Sequence, residues 1–592
     1  MAAGGETARA VFIDFEGIDG SGKTTLSNRL AQLLKERRIP VHHARDGGVF
    51  RSEISKEIRT LTRDPRHLRM SDVTEFLLYV ARDAQMIDEF IRPKLLPGNV
   101  VFSDRYLYSA ITHSHYARGL PREEVDSVLR LAARGLWPDL VVYCDVDPLT
   151  SRIRKKIQKI RERRFGDFGR KGLMGIGFRE EMRLGFLRLA EEDPERWLVV
   201  DNAHGTIEES LEKICRRVVP LLESRGFAGL GDLAGSSGKS QVAVPEKVPS
   251  LADRVRAVYA LEPSGPREEA VYRAFFEELE RLAPKAPAYA ALFLSGLDAP
   301  EANALRETII DREPALVAHS LQGLLSPESM AFRRRLKGAV PVYVARSLAG
   351  RPETPETTAL REELFEAAPA EVLLSIRGHD TEFAWSLRER AGKKAAREVL
   401  ASLRGIDTER AWAVREKYAK DPYLPALLES LGGLDTPEAQ RWRERLYDEY
   451  LPWVLVSVRG VFSEWSWKVR EDHVERAPKL VIRSIGRSDD PRAWRLRESA
   501  KNLVKEVLDS VSGMDSGPAW SLRMELRKKW PNTAVSSLGA GNQSERAWRF
   551  RWDMLFEHPD NLLLLKHVVR AILRTLEEEG EFLDEDDEGE FT

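Results

Sequence analysis

The chain has little of what most redox and metal sites are built from: two cysteines and eleven histidines in 592 residues. Cys144 and Cys215 lie far apart and show neither zinc-ligand nor C-x-x-C spacing. That excludes a disulfide framework and a thiolate cluster, and fits two reduced thiols in a cytoplasmic protein. No apolar run reaches the ~20 residues that cross a bilayer, so no membrane association is expected. The opening MAAGGETARA has no basic start followed by an apolar stretch, and no secretion signal is read there. An excess of one charge is missing too: 92 basic residues face 94 acidic ones. Without a basic surplus there is no case for a nucleic-acid partner. What remains is the composition of a soluble globular protein, too long for a single core.

The most informative stretch that is present is VFIDFEGIDGSGKTT, Val11 to Thr25. Gly17, Gly22, Lys23 and Thr24 satisfy G-x-x-x-x-G-K-[ST], with an apolar strand ahead and an amphipathic helix behind. Lacking side chains, Gly17, Gly20 and Gly22 let successive backbone N–H groups point at phosphate oxygens, aided by the positive end of the helix. The cradle therefore runs from Gly17 through Asp19, Gly20, Ser21 and Gly22 to Lys23, Thr24 and Thr25. Lys23 supplies a charge for the outer phosphates, and the Thr24 hydroxyl is placed to ligate Mg²⁺.

Downstream, short β-branched runs alternate with longer amphipathic stretches. VHHAR, NVVFSD, DLVVYCDV and RWLVVD read as buried strands; residues 74–95 and 207–222 read as helices. Such alternation predicts a parallel sheet covered by helices, with ligands bound beyond the carboxyl ends of the strands. Asp104 ends one of these strands and is a candidate magnesium ligand. Arg105 follows it and is a candidate clamp for an acceptor phosphate.

FIDFEGIDGSGKTT, LLYVARDAQMIDEFIRP, DRYLYS, WPDLVVYCDVDP and FREEMRLGFLRLAEEDPERWLVVD occur in an order that resembles the thymidylate kinase family, over residues 11 to about 222. The resemblance implies transfer of the γ-phosphoryl group of ATP to deoxythymidine monophosphate (dTMP), with Mg²⁺, by a homodimer. By the same resemblance Lys23 and Thr24 hold ATP, Asp19 approaches the acceptor sugar, and Arg45, Arg105 and Ser109 line the acceptor. Tyr79 takes the place of the aromatic residue that stacks on the base.

Several positions depart from the family pattern. The loop around Arg45 lacks its proline. The P-loop has Gly20 where some members carry an arginine, so the charge on the migrating phosphoryl group is expected from the basic segment Arg152–Gly172. Arg161, Arg163, Arg164 and Arg170 are the candidates there, Arg164 being the one assigned a catalytic role. Four residues after Tyr79 the expected arginine is Asp83, and Arg82 stands one position early. One residue turns a helix by about 100°, so Arg82 can serve the base only through a local rearrangement. His113 and Ser114 replace a Tyr-Gln pair. These changes leave open a different or broader base, and also a nucleotide-binding switch or scaffold whose main role is carried by the second half of the chain.

Residues 226–249 turn to Gly, Ser, Ala and Pro and read as a flexible linker. Beyond them an arginine recurs at 306, 333, 361, 388, 415, 443, 470, 497, 523 and 551. A tryptophan precedes it by three in six units, and a glycine by ten in eight. Each unit reads as two helices that cannot bury their apolar faces alone. The expectation is an α/β P-loop kinase domain over 1–225, followed over 250–576 by an all-α solenoid of about ten 27-residue helical pairs. That solenoid is expected to be elongated, similar in kind to HEAT repeats, and to bind an unidentified protein. The Trp and Arg columns read as packing elements, because a feature present in most units serves what every unit must do. Residues 577–592 carry ten acidic and no basic side chains and read as a disordered tail.

Overall fold

The computed structural model describes residues 8–46, 49–163, 177–203, 206–230, 233, 250–262 and 265–586, without the side chains of 46, 49 and 576–586. Arg164, Arg170, linker residues 234–249 and tail residues 587–592 lie outside the described residues. The chain divides into two compact units, residues 1–158 with 166–243 and residues 159–165 with 244–592.

The first unit contains β1 (Val11–Glu16), β2 (Val41–His43), β3 (Arg45–Asp46), β4 (Val49–Phe50), β5 (Val100–Asp104), β6 (Leu140–Asp145) and β7 (Trp197–Asp201). β3 and β4 pair antiparallel, and the other five strands form one parallel sheet in the order β2-β5-β1-β6-β7. The strand-linking helices are α1 (Lys23–Glu36), α2 (Glu53–Arg63), α3 (Asp72–Met86), α4 (Arg92–Lys94), α5 (Leu107–Ile111), α6 (Arg122–Ala133), α7 (Pro148–Arg161), α8 (Gly177–Glu192) and α9 (Ile207–Ser224). Alternation along β1 sorts its side chains between two cores. Val11, Ile13 and Phe15 meet Leu26, Leu30 and Leu34 of α1 and Val218 and Leu222 of α9. Phe12 faces the opposite side, with Met86, Leu107, Leu129 and Phe186. A strand buried on both faces explains the unbroken apolar run in the sequence.

The second unit is a series of helical pairs. In each, a longer helix such as Glu382–Ala391, Glu409–Lys417 or Pro437–Arg445 is followed by a short one such as Ala396–Ser402, Leu424–Ser430 or Leu451–Ser457. The side chains of Thr381, Thr408 and Thr436 cap the longer helices by accepting from the backbone N–H three residues on. Between units the chain turns at glycines with positive φ, among them Gly405 at 78° and Gly433 at 90°.

The recurring arginine is buried in every unit, and the third unit from the linker shows why it recurs only as part of a set. Arg361 donates Nε to Ser375 Oγ (3.2 Å) and Nη2 to the carbonyls of Leu348 (3.2 Å) and Arg351 (2.8 Å), so its guanidinium caps the preceding short helix. Helix C-termini carry partial negative charge, which suits a cation. The surroundings of Nη1 differ between units. Where a small polar residue lies one turn back, it accepts: Arg333 donates Nη1 to Ser329 Oγ at 3.1 Å and Arg470 to Ser466 Oγ at 3.0 Å. In the other tryptophan units the guanidinium lies against the ring, as with Arg415 over Trp412 at 4.6 Å and Arg497 over Trp494 at 4.3 Å, and there, as in Arg443, Nη1 is buried without a hydrogen-bond partner. The indole is fixed in turn, Trp412 Nε1 donating to Asp407 at 2.7 Å.

One expectation is corrected here: the array is not open-ended. Helix Pro266–Leu282 at its start packs on Leu562–Asp586 at its end. Tyr259 meets Phe556 with ring centroids 4.7 Å apart, and Lys566 Nζ donates to Leu292 O at 3.3 Å. Each unit adds a turn of the same sense, and the repeat period alone does not state its size. The final helix continues to Asp586, into the acidic stretch. Among the described residues no helix is long and apolar enough to cross a membrane.

Candidate active site

The phosphate loop joins β1 to α1 at the carboxyl end of the sheet. Its glycines are required by geometry: a Cβ on Gly17 (φ 143°) would lie 2.6 Å from Cys144 O, and one on Gly22 (φ 92°) 2.3 Å from Asn202 Nδ2. Lys23 is buried and its Nζ donates to Ile18 O at 3.1 Å, folding the side chain along the loop. Burial and then Arg105 lower its pKa, opposed by Asp104, Asp19 and Glu16. Thr24 Oγ1 donates to Asp104 Oδ2 at 2.6 Å, so a hydroxyl and a carboxylate converge beside the loop. Burial works to raise the Asp104 pKa, but Lys23, Arg45, Thr24 and Arg105 together hold it below the usual carboxylate value. Ser21 is buried and Thr25 exposed.

Arg105 sits just past β5 with φ 76°, a left-handed conformation that is strained for a residue with a Cβ. Its guanidinium donates Nη2 to Asp19 Oδ1 (2.6 Å) and Nη1 to Ser109 Oγ (3.0 Å). Glu16 holds this turn from beneath, accepting from the backbone N–H groups of Tyr106 and Ser109, each at 3.0 Å, and from Ser109 Oγ at 2.7 Å.

Arg45 lies on β3, only 7% exposed, with its guanidinium 4.0 Å from the Phe50 ring centroid. Its Nε and Nη2 are buried without hydrogen-bond partners, and Asp83 is its ion-pair neighbour at 3.5 Å. Burial and then Arg82 push its pKa down to about 10. Arg82 forms a two-point contact with fully buried Asp83, Nε to Oδ1 at 2.8 Å and Nη2 to Oδ2 at 2.9 Å. The same guanidinium lies 4.9 Å from the Tyr79 ring centroid, so Asp83 performs the rearrangement that Arg82 needs to reach this ring. Tyr79 donates its hydroxyl to Glu75 (3.1 Å) and meets His113 edge to face at 4.8 Å. Arg118 also donates to Glu75, at 2.8 Å.

The fold thus gathers the loop, Asp19, Arg45, Asp104, Arg105 and Ser109, with Tyr79 and Arg82 joined to them through Asp83. Arg161, the last residue of α7, and Arg163 are exposed. Four contributors were not singled out from sequence. Asn202 donates to Ser21 O at 2.6 Å from the end of β7. Ser151 donates to Asp19 O at 2.5 Å. Glu16 holds the Arg105 turn. Arg59 of α2 is close enough to Arg105 and Asp19 to feel both, and burial followed by Arg63 lowers its pKa to about 10. Glu16 alone had a visible signal, as an acid closing an apolar strand; the others depend on tertiary proximity.

The sequence model of the thymidylate kinase family matches residues 15–214, the stretch that carries this cluster. A thymidylate kinase of Geobacillus sp. (strain WCH70) is 33% identical over 214 residues, which are 36% of this chain and 98% of the relative. The chain belongs to the thymidylate kinase family. The thymidylate kinase of Pelobacter propionicus is 37% identical over 213 residues, 35% of this chain and 93% of that protein. Among solved structures, the thymidylate kinase of Ehrlichia chaffeensis matches 36% of this chain and 99% of its own at 25% identity and a TM-score of 0.27. Thymidylate kinases are nucleoside monophosphate kinases, and the helical repeats of this chain lie beyond the residues that the family sequence model covers.

Proposed function

We propose that the first unit phosphorylates dTMP with ATP. The observation that carries this reading is Arg45: a nearly fully buried guanidinium whose Nε and Nη2 have no hydrogen-bond partner and whose ion-pair neighbour, Asp83 at 3.5 Å, is held by Arg82, in the cluster that holds Arg105, Arg59 and Asp104. Burying such donors unmet is unfavourable unless a ligand meets them, and a phosphate monoester has the oxygens to do so.

In this reading the loop N–H groups from Gly17 to Thr25 cradle the ATP phosphates, and Lys23 swings from Ile18 O to the outer ones. Arg45, Arg59 and Arg105 grip the acceptor phosphate. Asp19, now paired with Arg105, turns to the acceptor sugar, and Tyr79 with Arg82 faces the base. The donor set beside the loop, one hydroxyl and one carboxylate 2.6 Å apart, is oxygen-only and suits Mg²⁺ shared with phosphates. Thr24 and Asp104 would hold it, directly or through water. Bound there, Mg²⁺ supplies charge neutralisation on the phosphates. Arg164 remains the proposed lid residue. The kinase unit is read as pairing with a second copy in the cytoplasm, and the repeats as a protein-interaction or regulatory module.

A second reading keeps the chemistry and changes the base. Asp83 draws Arg82 onto the Tyr79 ring, and His113 covers that ring's edge, so the base meets a surface other than the one the family pattern implies. Purified full-length protein, ATP, Mg²⁺ and a panel of monophosphates separate the two by ADP release. The first reading expects strongest turnover with dTMP, abolished in Lys23→Met. Preference for another monophosphate moves the assignment to the second reading, and ADP release that survives Lys23→Met sinks both.

A further inference from the structure

Of the six long helices that carry a tryptophan three residues before the repeat arginine, three have a seat for a cation that one unit builds and the next unit fills. The helices that follow Trp412 and Trp494 have Glu438 and Pro518 in the filling position. Arg410 lies over Trp385 at 4.5 Å and pairs with Glu382 at 3.0 Å. Arg492 lies over Trp467 at 5.8 Å and pairs with Glu464 at 2.8 Å. Arg546 lies over Trp520 at 4.2 Å. In all three the arginine is the second residue of the following long helix. Both glutamates are the first residue of their own helix. Each of these indoles is thereby held between two guanidiniums, its own unit's buried arginine and its successor's.

The last described unit carries the same Glu and Trp and is followed by helix Leu562–Asp586. Glu545 is the first residue of helix Glu545–Glu557, and Trp548 has the buried Arg551 at 4.8 Å and stacks on Trp552 with ring centroids 5.5 Å apart. Across the seam where the array closes stands helix Pro266–Leu282, whose second residue, Arg267, is positioned like the three filling arginines. It reaches the partner helix about one turn too far along, over Trp552 at 5.6 Å and Phe556 at 5.5 Å. Glu545 and Trp548 are left lining a cavity of about 1270 Å³ together with Trp552, Asp553, Arg267 and Tyr259. Glu545 is 88% exposed and pairs only along its own helix surface with Arg549 at 2.9 Å, a weak contact of a kind that yields readily. Of the charged groups lining the cavity five are carboxylates and two are guanidiniums. The cavity exceeds the ~300–1,000 Å³ usual for small-molecule pockets and has room for a run of residues.

We propose that this seam is a docking site for a basic, arginine-bearing segment of a partner protein. One arginine of that segment takes the seat on Trp548 and pairs with Glu545, as Arg410 does on Trp385 and Glu382. Asp553 and the stacked Trp552 receive the next cationic or aliphatic side chain.

The test is fluorescence anisotropy of a short fluorescein-labelled peptide alternating arginine and leucine, titrated with the full-length protein. Its citrulline counterpart keeps the shape without the charge. Binding of the arginine peptide is expected, weaker by about tenfold or more for the citrulline peptide and for a Glu545→Lys, Asp553→Lys protein. Both positions are exposed, so the thermal midpoint should not move, and Glu545→Gln should give an intermediate loss. Equal affinity for the altered protein, or no binding of the arginine peptide, overturns the proposal. So does self-association of the unaltered protein that Glu545→Lys abolishes, because the occupant is then a second copy.

Discussion

Two sets of buried arginines, one at the phosphate loop and one in the repeats, set a side chain we propose to serve a ligand beside one that serves the fold. Arg45 and Arg415 are both almost wholly buried, and burial lowers each pKa to about 10. Charge and burial alone do not tell them apart. The number of hydrogen bonds each makes to its own surroundings does. Arg415 donates Nε to Ser430 Oγ (3.0 Å) and Nη2 to Leu403 O (2.9 Å), with an indole against the guanidinium and Nη1 alone left without a hydrogen-bond partner. Arg45 has both Nε and Nη2 without one, with Asp83 as an ion-pair neighbour at 3.5 Å. The guanidinium that uses most of its donors on its own unit is tied to the fold, and the one that uses neither Nε nor Nη2 has donors to offer to something else.

The comparison breaks most sharply at the loop. Lys23→Met should lower kcat for ADP formation by about 10²–10³-fold or more with no change in thermal midpoint, since Lys23 makes one bond within its own loop and its proposed role is toward phosphate. Arg415→Met should do the reverse. Losing the guanidinium strands Leu403 O and Ser430, which should destabilise the repeat unit by about 3 kcal/mol in urea unfolding while kinetic constants per folded molecule hold. Arg45→Met should raise the KM for dTMP by about 10–100-fold, the scale of a charge-assisted hydrogen bond, with stability unchanged or increased because unmet buried donors are removed. The smallest effect is Trp412→Phe, which keeps a ring beneath Arg415 and loses the Nε1 bond to Asp407, at about 1 kcal/mol.

Sequence legibility followed the range of the contact. The glycine spacing, Lys23, Thr24 and Asp104 could be read because loop, strand end and helix start are local features. The repeat could be read because it recurs. Arg59, Ser151 and Asn202 could not, since each comes to the loop through tertiary packing from a separate element. Helix spacing puts Arg82 about 100° from the expected arginine, so that it serves the base only through a local rearrangement. Its helix position is as expected, but Asp83 beside it bends the long side chain back over Tyr79, a short-range effect that helix geometry alone does not include. The serine that accepts from nine of the ten repeat arginines lies 13 to 15 residues further on, outside the helix that carries the Trp and Arg signal. Closure of the array depends on small rotations summed over all units, which no single period encodes.

The most direct measurement is a crossed pair: KM for dTMP and the unfolding midpoint, determined side by side for Arg45→Met and Arg415→Met in the full-length protein. The prediction is that Arg45→Met raises KM and leaves the midpoint, whereas Arg415→Met lowers the midpoint and leaves KM. An Arg45→Met protein that unfolds early yet binds dTMP normally would contradict the account, because Arg45 would then be a structural cation like those of the repeats.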